Sequence, residues 1–552
     1  MQDNLAIALM GFPSQLLPEI ILGLAACVLF LGATWKVSRH VWGTVALAAL
    51  VLAGLAMWSV HHSHTPIENE PKAEFADTIR FSAPVLYTKF GVLFKLIGLI
   101  TGVLLVLLGW DEGGEEHAGE YHACLLLIAA GIGLTGAAND LITLFLALEL
   151  ISIPTYIVLY LPRITAPAQE AAMKYFLLSV FSSGLLLFGF SYLYGVTGTT
   201  NISGILDSLG ASQGGIATRA VPTWRGLVLV SLVMIVAGLG FRITAVPFHF
   251  YAPDVYQGTT TVSAGMLAFV PKIVGFAALL KLLGFVGDSN GQAMGSQAPI
   301  LFWIMAAVTM TLGNILALWQ TNIKRLLAYS SIAHAGYMLI GLAVAPRMTG
   351  TSADAVNGVE AVVFYLAAYG AMTLGSFAVL HVLSQSGKTV ENEDDLVGLG
   401  KTHPVMALVM VLFLFSLIGM PLTAGFVGKF LLFFDAMSVF SSIPEGNAEA
   451  VRQATEQGRL YGLLALIGAV NAAIGAWYYL RLASAMYLRE AIMPLPAVKT
   501  TPAVFAMVVC AVLTLVLGMF PSTLLSPIRE AIRPTIAGQA KIAADGPKVA
   551  QR

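Results

Sequence analysis

The chain is a succession of apolar runs, each near twenty residues long, separated by short polar connections. About fourteen such runs can be counted, centred near residues 27, 50, 100, 130, 150, 184, 234, 270, 309, 335, 372, 414, 470 and 512. Twenty helical residues span about 30 Å, the thickness of a bilayer's hydrocarbon core. The pattern predicts an all-α polytopic membrane protein with about 14 transmembrane helices. The longer polar connections are Val60 to Pro84, Trp110 to Glu120, Thr197 to Arg225, Ser384 to His403 and Ser441 to Arg459. None reads as a separate soluble domain.

Composition closes off the alternatives. Of 552 residues, 57% are hydrophobic and 11% charged, and mean hydropathy is +0.82. A soluble protein carries about a quarter charged residues. One large soluble core is excluded, because the apolar runs recur along the whole chain. A net charge of -1 argues against a nucleic-acid partner, which would need a basic face. Cys27, Cys124 and Cys510 lie in or beside apolar runs with no metal-binding spacing, and read as packing residues. The start "MQDNLAIALM" lacks a basic region and a small-residue cleavage site, so a removable signal peptide is not expected.

An even number of spans puts both termini on one side of the membrane. Lys36, Arg39, Lys324, Arg325, Lys388 and Lys401 follow odd-numbered spans, which makes those loops cytoplasmic and both termini external. The basic tail points the other way. Two spans carry proline in a similar setting. In "GLGFRITAVPFHF" Pro247 lies just past the apolar run of the seventh span, and in "LIGMPLTAGFVGKF" Pro421 lies inside the twelfth. Proline removes a backbone hydrogen bond and crowds the carbonyl four residues back, here Ile243 and Leu417. Such breaks survive at membrane depth only where protein or a watery cavity surrounds them. Their recurrence predicts an internal repeat of about five spans. The expected layout is an N-terminal three-helix segment over 1–120, repeats over 121–290 and 298–486, a C-terminal helix over 500–526 and a polar tail over 527–552.

Charge in the lipid zone is costly, at least about 2.5 kcal/mol per group at the bilayer centre. Six ionisable residues nonetheless lie in or beside the runs. They are Glu149 in "LFLALELISIPTY", Lys174 in "AAMKYFLLSVF", Arg242 before the first break, Lys272 in "LAFVPKIVGFAALL", His334 in "YSSIAHAGYMLIG" and Lys429 in "AGFVGKFLLFF". Lys174 sits near a span start, where a lysine also snorkels to the interface. His334 also fits a neutral histidine bonded within the bundle. Lys281, Lys324 and Arg325 flank span ends and read as ordinary anchors. Glu149, Lys272 and Lys429 have apolar residues well to both sides. A buried lysine loses proton affinity by desolvation, and a nearby carboxylate restores it. A row of such groups linked by water is a proton relay. No nucleotide-binding loop, Fe–S cysteine set or paired haem histidines accompany it.

The segments "LALELISIPTYIVLYLPR", "EAAMKYFLLSVFSSGLLLFGFSYLYGVTGTTNI", "FRITAVPFHFYAPDVYQGTTT", "IKRLLAYSSIAHAGYMLIGL" and "FSLIGMPLTAGFVGKF" resemble the subunit N family of the proton-pumping NADH:quinone oxidoreductase, respiratory complex I. The likeness covers roughly Glu19 to Ser526. "PFHFYAPDVYQG" is its most specific piece, since the sister subunits L and M carry an "HxWLPxAHxxAP" form there. The resemblance implies fourteen helices in two inverted five-helix repeats, each with a broken helix. It implies no cofactor in this chain, with NAD, flavin, Fe–S clusters and quinone bound elsewhere in the complex. Partners would be other antiporter-like and small membrane subunits together with the lipid bilayer, in a bacterial inner membrane.

Carried over residue by residue, the family's relay falls on Glu149 and Lys174 as a coupling pair, Lys272 as the central lysine and Lys429 as the exit-side lysine. His334 joins the connecting path, and the breaks fall on Pro247 and Pro421. One position departs: the family commonly has lysine five residues before the first break, where this chain has Arg242. Arginine keeps its charge but does not release a proton in an ordinary site. The competing readings are a cation/proton antiporter or ion-translocating hydrogenase of the same fold, a secondary transporter for an organic solute, and a structural scaffold.

Overall fold

The computed structural model describes residues 14–35, 37–64, 66, 79–162, 165–210, 222–284, 297–345, 357–385, 389–441, 448–490 and 502–532. The starting "MQDNLAIALM", Lys36, Lys388 and the tail past Ile532 lie outside the described residues. Among those described, regular structure is helical, and pairing of β type is confined to three isolated bridges. Eleven helices are long and apolar enough to cross a membrane, and three shorter apolar helices bring the set to the fourteen expected.

In chain order these helices are α1 (Leu17–Gly32), α2 (Arg39–Ser63), α3 (Lys89–Leu108), α4 (Ala118–Ala137), α5 (Leu141–Tyr160) and α6 (Ala166–Thr197). The seventh span is split into α7 (Pro222–Arg242) and the short α8 (Ala252–Gly258). Next come α9 (Thr261–Leu282), α10 (Gln297–Leu318), α11 (Ile323–Val344) and α12 (Gly358–Ser384). The twelfth span is split into α13 (Pro404–Ile418) and α14 (Ala424–Ser441), followed by α15 (Ala448–Leu488) and α16 (Pro502–Met519). A last amphipathic helix, α17 (Ser522–Ile532), packs on α12 and α3. Pro527 therefore stands inside a helix, with Ile528, Ala531 and Ile532 buried, and does not open the polar tail expected from that position.

Local sequence sets the helix starts. Thr88, Asp140, Asn322 and Asn357 each accept a backbone N–H of the first turn of α3, α5, α11 and α12. Gly198 and Gly419, at φ 72° and 94°, end α6 and α13 in the left-handed conformation glycine adopts freely. Burial divides the helices into two classes. All twenty-two residues of α9 are buried, and α11 and α12 are nearly so. They form the centre of the bundle, as helices apolar on every side do. The outer helices present bare apolar faces, with Leu52, Phe181 and Phe188 more than half exposed, which suits contact with lipid.

The two breaks share one logic. After Arg242 the chain passes through Thr244 at φ 58° to Pro247, and the Val246 N–H donates to Thr309 Oγ1 at 3.0 Å. The Ile243 carbonyl, crowded out by Pro247, accepts from Thr244 Oγ1 at 2.6 Å. At the second break Leu422 takes φ 71°, and the Leu417 carbonyl accepts from Lys429 Nζ at 2.8 Å. Each backbone group a proline frees is satisfied within the protein.

The second break depends on close approach. A Cβ on Gly425 would stand 1.8 Å from the Ser416 carbonyl oxygen, and nothing lies within 4 Å of one on Gly184 in α6. Gly425→Ala is predicted to destabilise the chain by at least about 1–3 kcal/mol. Gly184→Ala should be neutral or slightly stabilising. Thermal unfolding of the detergent-solubilised protein distinguishes the two, and equal melting points would contradict this packing.

Candidate functional site

Arg242 is the last residue of α7 and is 3% exposed. Ending a helix there aims its guanidinium across to α5. Nη2 donates to Glu149 Oε1 at 3.0 Å, and Nη1 to Ser152 Oγ at 2.7 Å and the Leu148 carbonyl at 3.3 Å. Ser183 of α6 donates to the same Glu149 oxygen at 2.6 Å. The break thus places a fixed cation on a carboxylate, within a ring of hydroxyls. Arg242 also packs beside Gly275 of α9, one helical turn from Lys272.

Lys272 is wholly buried at the centre of the bundle. Its partner is a hydroxyl: Nζ donates to Ser331 Oγ of α11 at 2.6 Å, and the Tyr369 hydroxyl of α12 donates to the same oxygen at 2.8 Å. Among the described residues Lys272 has no carboxylate partner. One turn along α11 from Ser331 stands His334, with Nδ1 2.6 Å from the Tyr365 hydroxyl and Nε2 3.2 Å from that of Tyr479. Tyr479 also bonds Ser330. Lys429, 6% exposed, donates to the Leu417 and Ile418 carbonyls at 2.8 and 3.0 Å. Its ammonium lies 4.8 Å from the centre of the Tyr337 ring, which in turn stands edge-on to His334.

Lys272, His334 and Lys429 are therefore brought into one row, joined by Ser331, Tyr369, Tyr365, Tyr479 and Tyr337. Arg242 and Glu149 stand at its other end. Lys174 is not with them. It bonds Glu170 at 2.7 Å and Asp254 at 3.1 Å, with its side chain 41% exposed. In this structure Glu149 pairs with Arg242, at the end of α7, and not with Lys174. Lys281, Lys324 and Arg325 also differ from simple anchors. Lys281 donates to the Ala138 carbonyl at 2.6 Å, and Lys324 to the Gln257 and Thr259 carbonyls at 2.8 and 2.7 Å. Arg325 bonds Asp254 at 2.6 Å.

Sequence reading passed over several polar groups. The tyrosines look like ordinary core, and only their spacing with "SSIAHAGY" could have flagged them. Glu19 and Lys95 form a 3.0 Å ion pair between α1 and α3, with side chains 10% and 5% exposed. Among the described residues, no three His, Cys, Asp or Glu side chains gather as a metal-binding group.

Two broken spans, a buried cationic row and an all-helical bundle define a polytopic membrane protein of the antiporter-like class. The family model described as NADH:quinone oxidoreductase/Mrp antiporter, TM, matches residues 138–443. The NADH-quinone oxidoreductase subunit N of Trichlorobacter lovleyi is 36% identical over 521 residues, 94% of this chain and 96% of that one. The chain belongs to the NADH-quinone oxidoreductase subunit N family. Subunit N of Rhodospirillum rubrum is also 36% identical, over 88% of this chain and 90% of that one. Among solved structures, a chain of respiratory complex I from Thermus thermophilus is similar at TM-score 0.68 and 27% identity, covering 92% of this chain and 98% of that one. A chain of the Mrp complex from Dietzia shares the fold at TM-score 0.74, with 17% identity and coverage of 96% and 99%.

Removing one member of a buried ion pair leaves the other uncompensated, at about 3–5 kcal/mol for full burial. Glu149 keeps 19% side-chain exposure, which lowers that cost. Arg242→Gln is predicted to destabilise by about 2–3 kcal/mol. Arg242→Lys, which keeps the charge but loses the forked bonds to Ser152 and Leu148, should lose only about 1 kcal/mol. Denaturant or thermal unfolding reads the difference, and equal losses would show that charge is not what Arg242 supplies.

Proposed function

We propose that this chain is a proton-translocating membrane subunit of an NADH-quinone oxidoreductase, moving protons along the buried row when quinone reduction elsewhere in the complex shifts its charge balance. One observation carries this reading: a lysine buried completely at the bundle centre, held by a hydroxyl and by no carboxylate. A carboxylate partner would fix Lys272 as the ammonium. Ser331 accepts from an ammonium and donates to an amine, so it is compatible with either charge state of its neighbour. A group free to change charge is what proton carriage requires.

In this reading Glu149 and Arg242 form the input. Arg242 cannot give up a proton and acts as a fixed charge beside α9. A unit charge roughly 8–10 Å away acts with about 2 kcal/mol at an effective dielectric near 20. When Glu149 is drawn off Arg242, that uncompensated charge drives a proton from Lys272 toward His334 and Lys429. Lys174, paired with Asp254 and Glu170 at the bundle's edge, supplies protons or an alternative partner for Glu149. The recurrence of the break supports two five-helix repeats over 121–290 and 298–486. The chain itself holds no redox group; NAD, flavin, Fe–S clusters and quinone belong to other subunits. Its partners are neighbouring antiporter-like and small membrane subunits in a bacterial inner membrane.

Lys272→Met tests this directly. No anion is left unpaired, so assembly should be normal and stability unchanged or raised. Proton pumping by the complex in proteoliposomes should fall by at least about ten-fold, well inside the roughly 10²–10⁴-fold that a positioned proton-transfer group contributes. Lys272→Arg should fall similarly, since charge survives and release does not. Full pumping by Lys272→Met in an assembled complex would refute the path. Sodium movement in place of protons would return the cation/proton antiporter reading.

A further inference from the structure

Asp435 lies on α14, six residues beyond Lys429, and has no part in the row described above. Its side chain is 0% exposed, and among the described residues neither carboxyl oxygen receives a hydrogen bond. It shares a helical face with Leu432, one turn back and also fully buried. Leu432 reaches the α11–α12 seam, where Gly341 meets Gly358 and Val362. Asp435 therefore points toward the start of α12. There Glu360 is buried, 1% exposed, and bonded by Arg529 of α17 at 3.3 Å. Gly358, two residues before Glu360, lies at the same seam that Leu432 of α14 reaches. Arg529 is 37% exposed, so the line from Asp435 through Glu360 ends at the protein's surface.

A carboxyl with no donor adds nothing to packing that a leucine would not, and an ionised one is costly there. What it adds is an exchangeable proton. We infer that Asp435 and Glu360 carry protons between Lys429 and the water at the α12–α17 end of the bundle, an inference that rests on the proton path proposed above. At rest Asp435 is the neutral acid, and Glu360 is the carboxylate held by Arg529. The Asp435 O–H breaks and its proton passes to a Glu360 oxygen, which loosens the bond to Arg529. The Asp435 anion then takes a proton from the Lys429 ammonium, leaving the neutral amine. Lys429 and Asp435 are six residues apart on α14, roughly 9 Å of helical rise, so this transfer requires water to enter between them during turnover. Glu360 finally releases its proton to water and Arg529 re-pairs. One proton has crossed from Lys429 to solvent, and both carboxyls are restored.

The test uses the intact membrane complex. Asp435→Asn and Asp435→Leu should assemble normally and lose several-fold in protons moved per electron, with Asp435→Glu recovering most of the loss. The infrared difference spectrum on quinone reduction should contain a carboxylic C=O band. That band should shift in deuterium oxide and with carboxyl-13C aspartate, and be absent from Asp435→Asn. A purely structural aspartate would produce no such band. If Asp435→Asn pumps like the parent while Lys272→Met does not, Asp435 is no carrier and the proton path stands. If both pump like the parent, the path falls and this inference with it. Should the Asn and Leu variants fail to assemble, absence of an aspartate-labelled band in the parent complex overturns the assignment by itself.

Discussion

Inside a bundle bounded by lipid, a polar group has no water to fall back on, so each one must find its partner in the protein. The broken spans make that demand acute, because every helix end leaves carbonyls without intrahelical donors. Buried cations meet it. Lys429 takes two carbonyls at the end of α13, Lys324 two at the end of α8, and Lys281 one just past α4. Arg481 of α15 does the same past α10, donating to the Leu318 and Gln320 carbonyls at 3.0 and 2.7 Å. A cation at a helix's carboxyl end is also favoured by the helix dipole. Charge that looks extravagant in an apolar sequence is in large part the means by which broken helices are kept.

That pattern makes Lys272 the exception. It sits mid-helix in α9, caps no helix end, and contacts a serine hydroxyl. Backbone carbonyls accept only, so a lysine capping a helix is biased toward its donating, charged form. A hydroxyl imposes no such bias. Lys429 holds an intermediate position, bound to carbonyls yet facing the Tyr337 ring. Releasing a proton from it means giving up cap bonds at the second break. Under the proposed function, proton movement at Lys429 would be tied to the geometry of α13 and α14.

The span count and both breaks were legible in the sequence, because run length and proline act locally. The burial of Lys272 was legible too, from apolar residues on each side. Partner choice was not. Glu149 and Arg242 are 93 residues apart, Glu19 and Lys95 76 apart, and nothing in either segment states how the helices are rotated against one another. Lys174 was read as the mate of Glu149 on the strength of family resemblance, while the structure turns it toward Asp254. α17 was missed because the segment from Pro527 onward reads as a polar tail, although apolar Ile528, Ala531 and Ile532 open it. Asp435 has the same apolar flanks as Lys429, and a consistent flank test would have found it.

The exchange of a titratable residue for Arg242 bears on how the two ends of the row communicate. A lysine there could pass a proton inward, making input and carrier one continuous wire. An arginine cannot, so in the proposed path what reaches Lys272 from the Glu149 side is electric field, not a proton. On that path the proton assigned to Lys272 enters by another route, and the hydroxyl shell of Ser331 and Tyr369 is where that lysine is in contact with other groups. Separating field from proton has a physical advantage. In the proposed path the input pair can open and close without opening a leak, because its cation, Arg242, does not release a proton. Coupling is then set by distance and dielectric alone, and the packing of Arg242 against Gly275 keeps that distance short. A Cβ on Gly275 would stand 2.5 Å from Ile243 Cγ2, so a larger residue there would press first on the turn that follows Arg242.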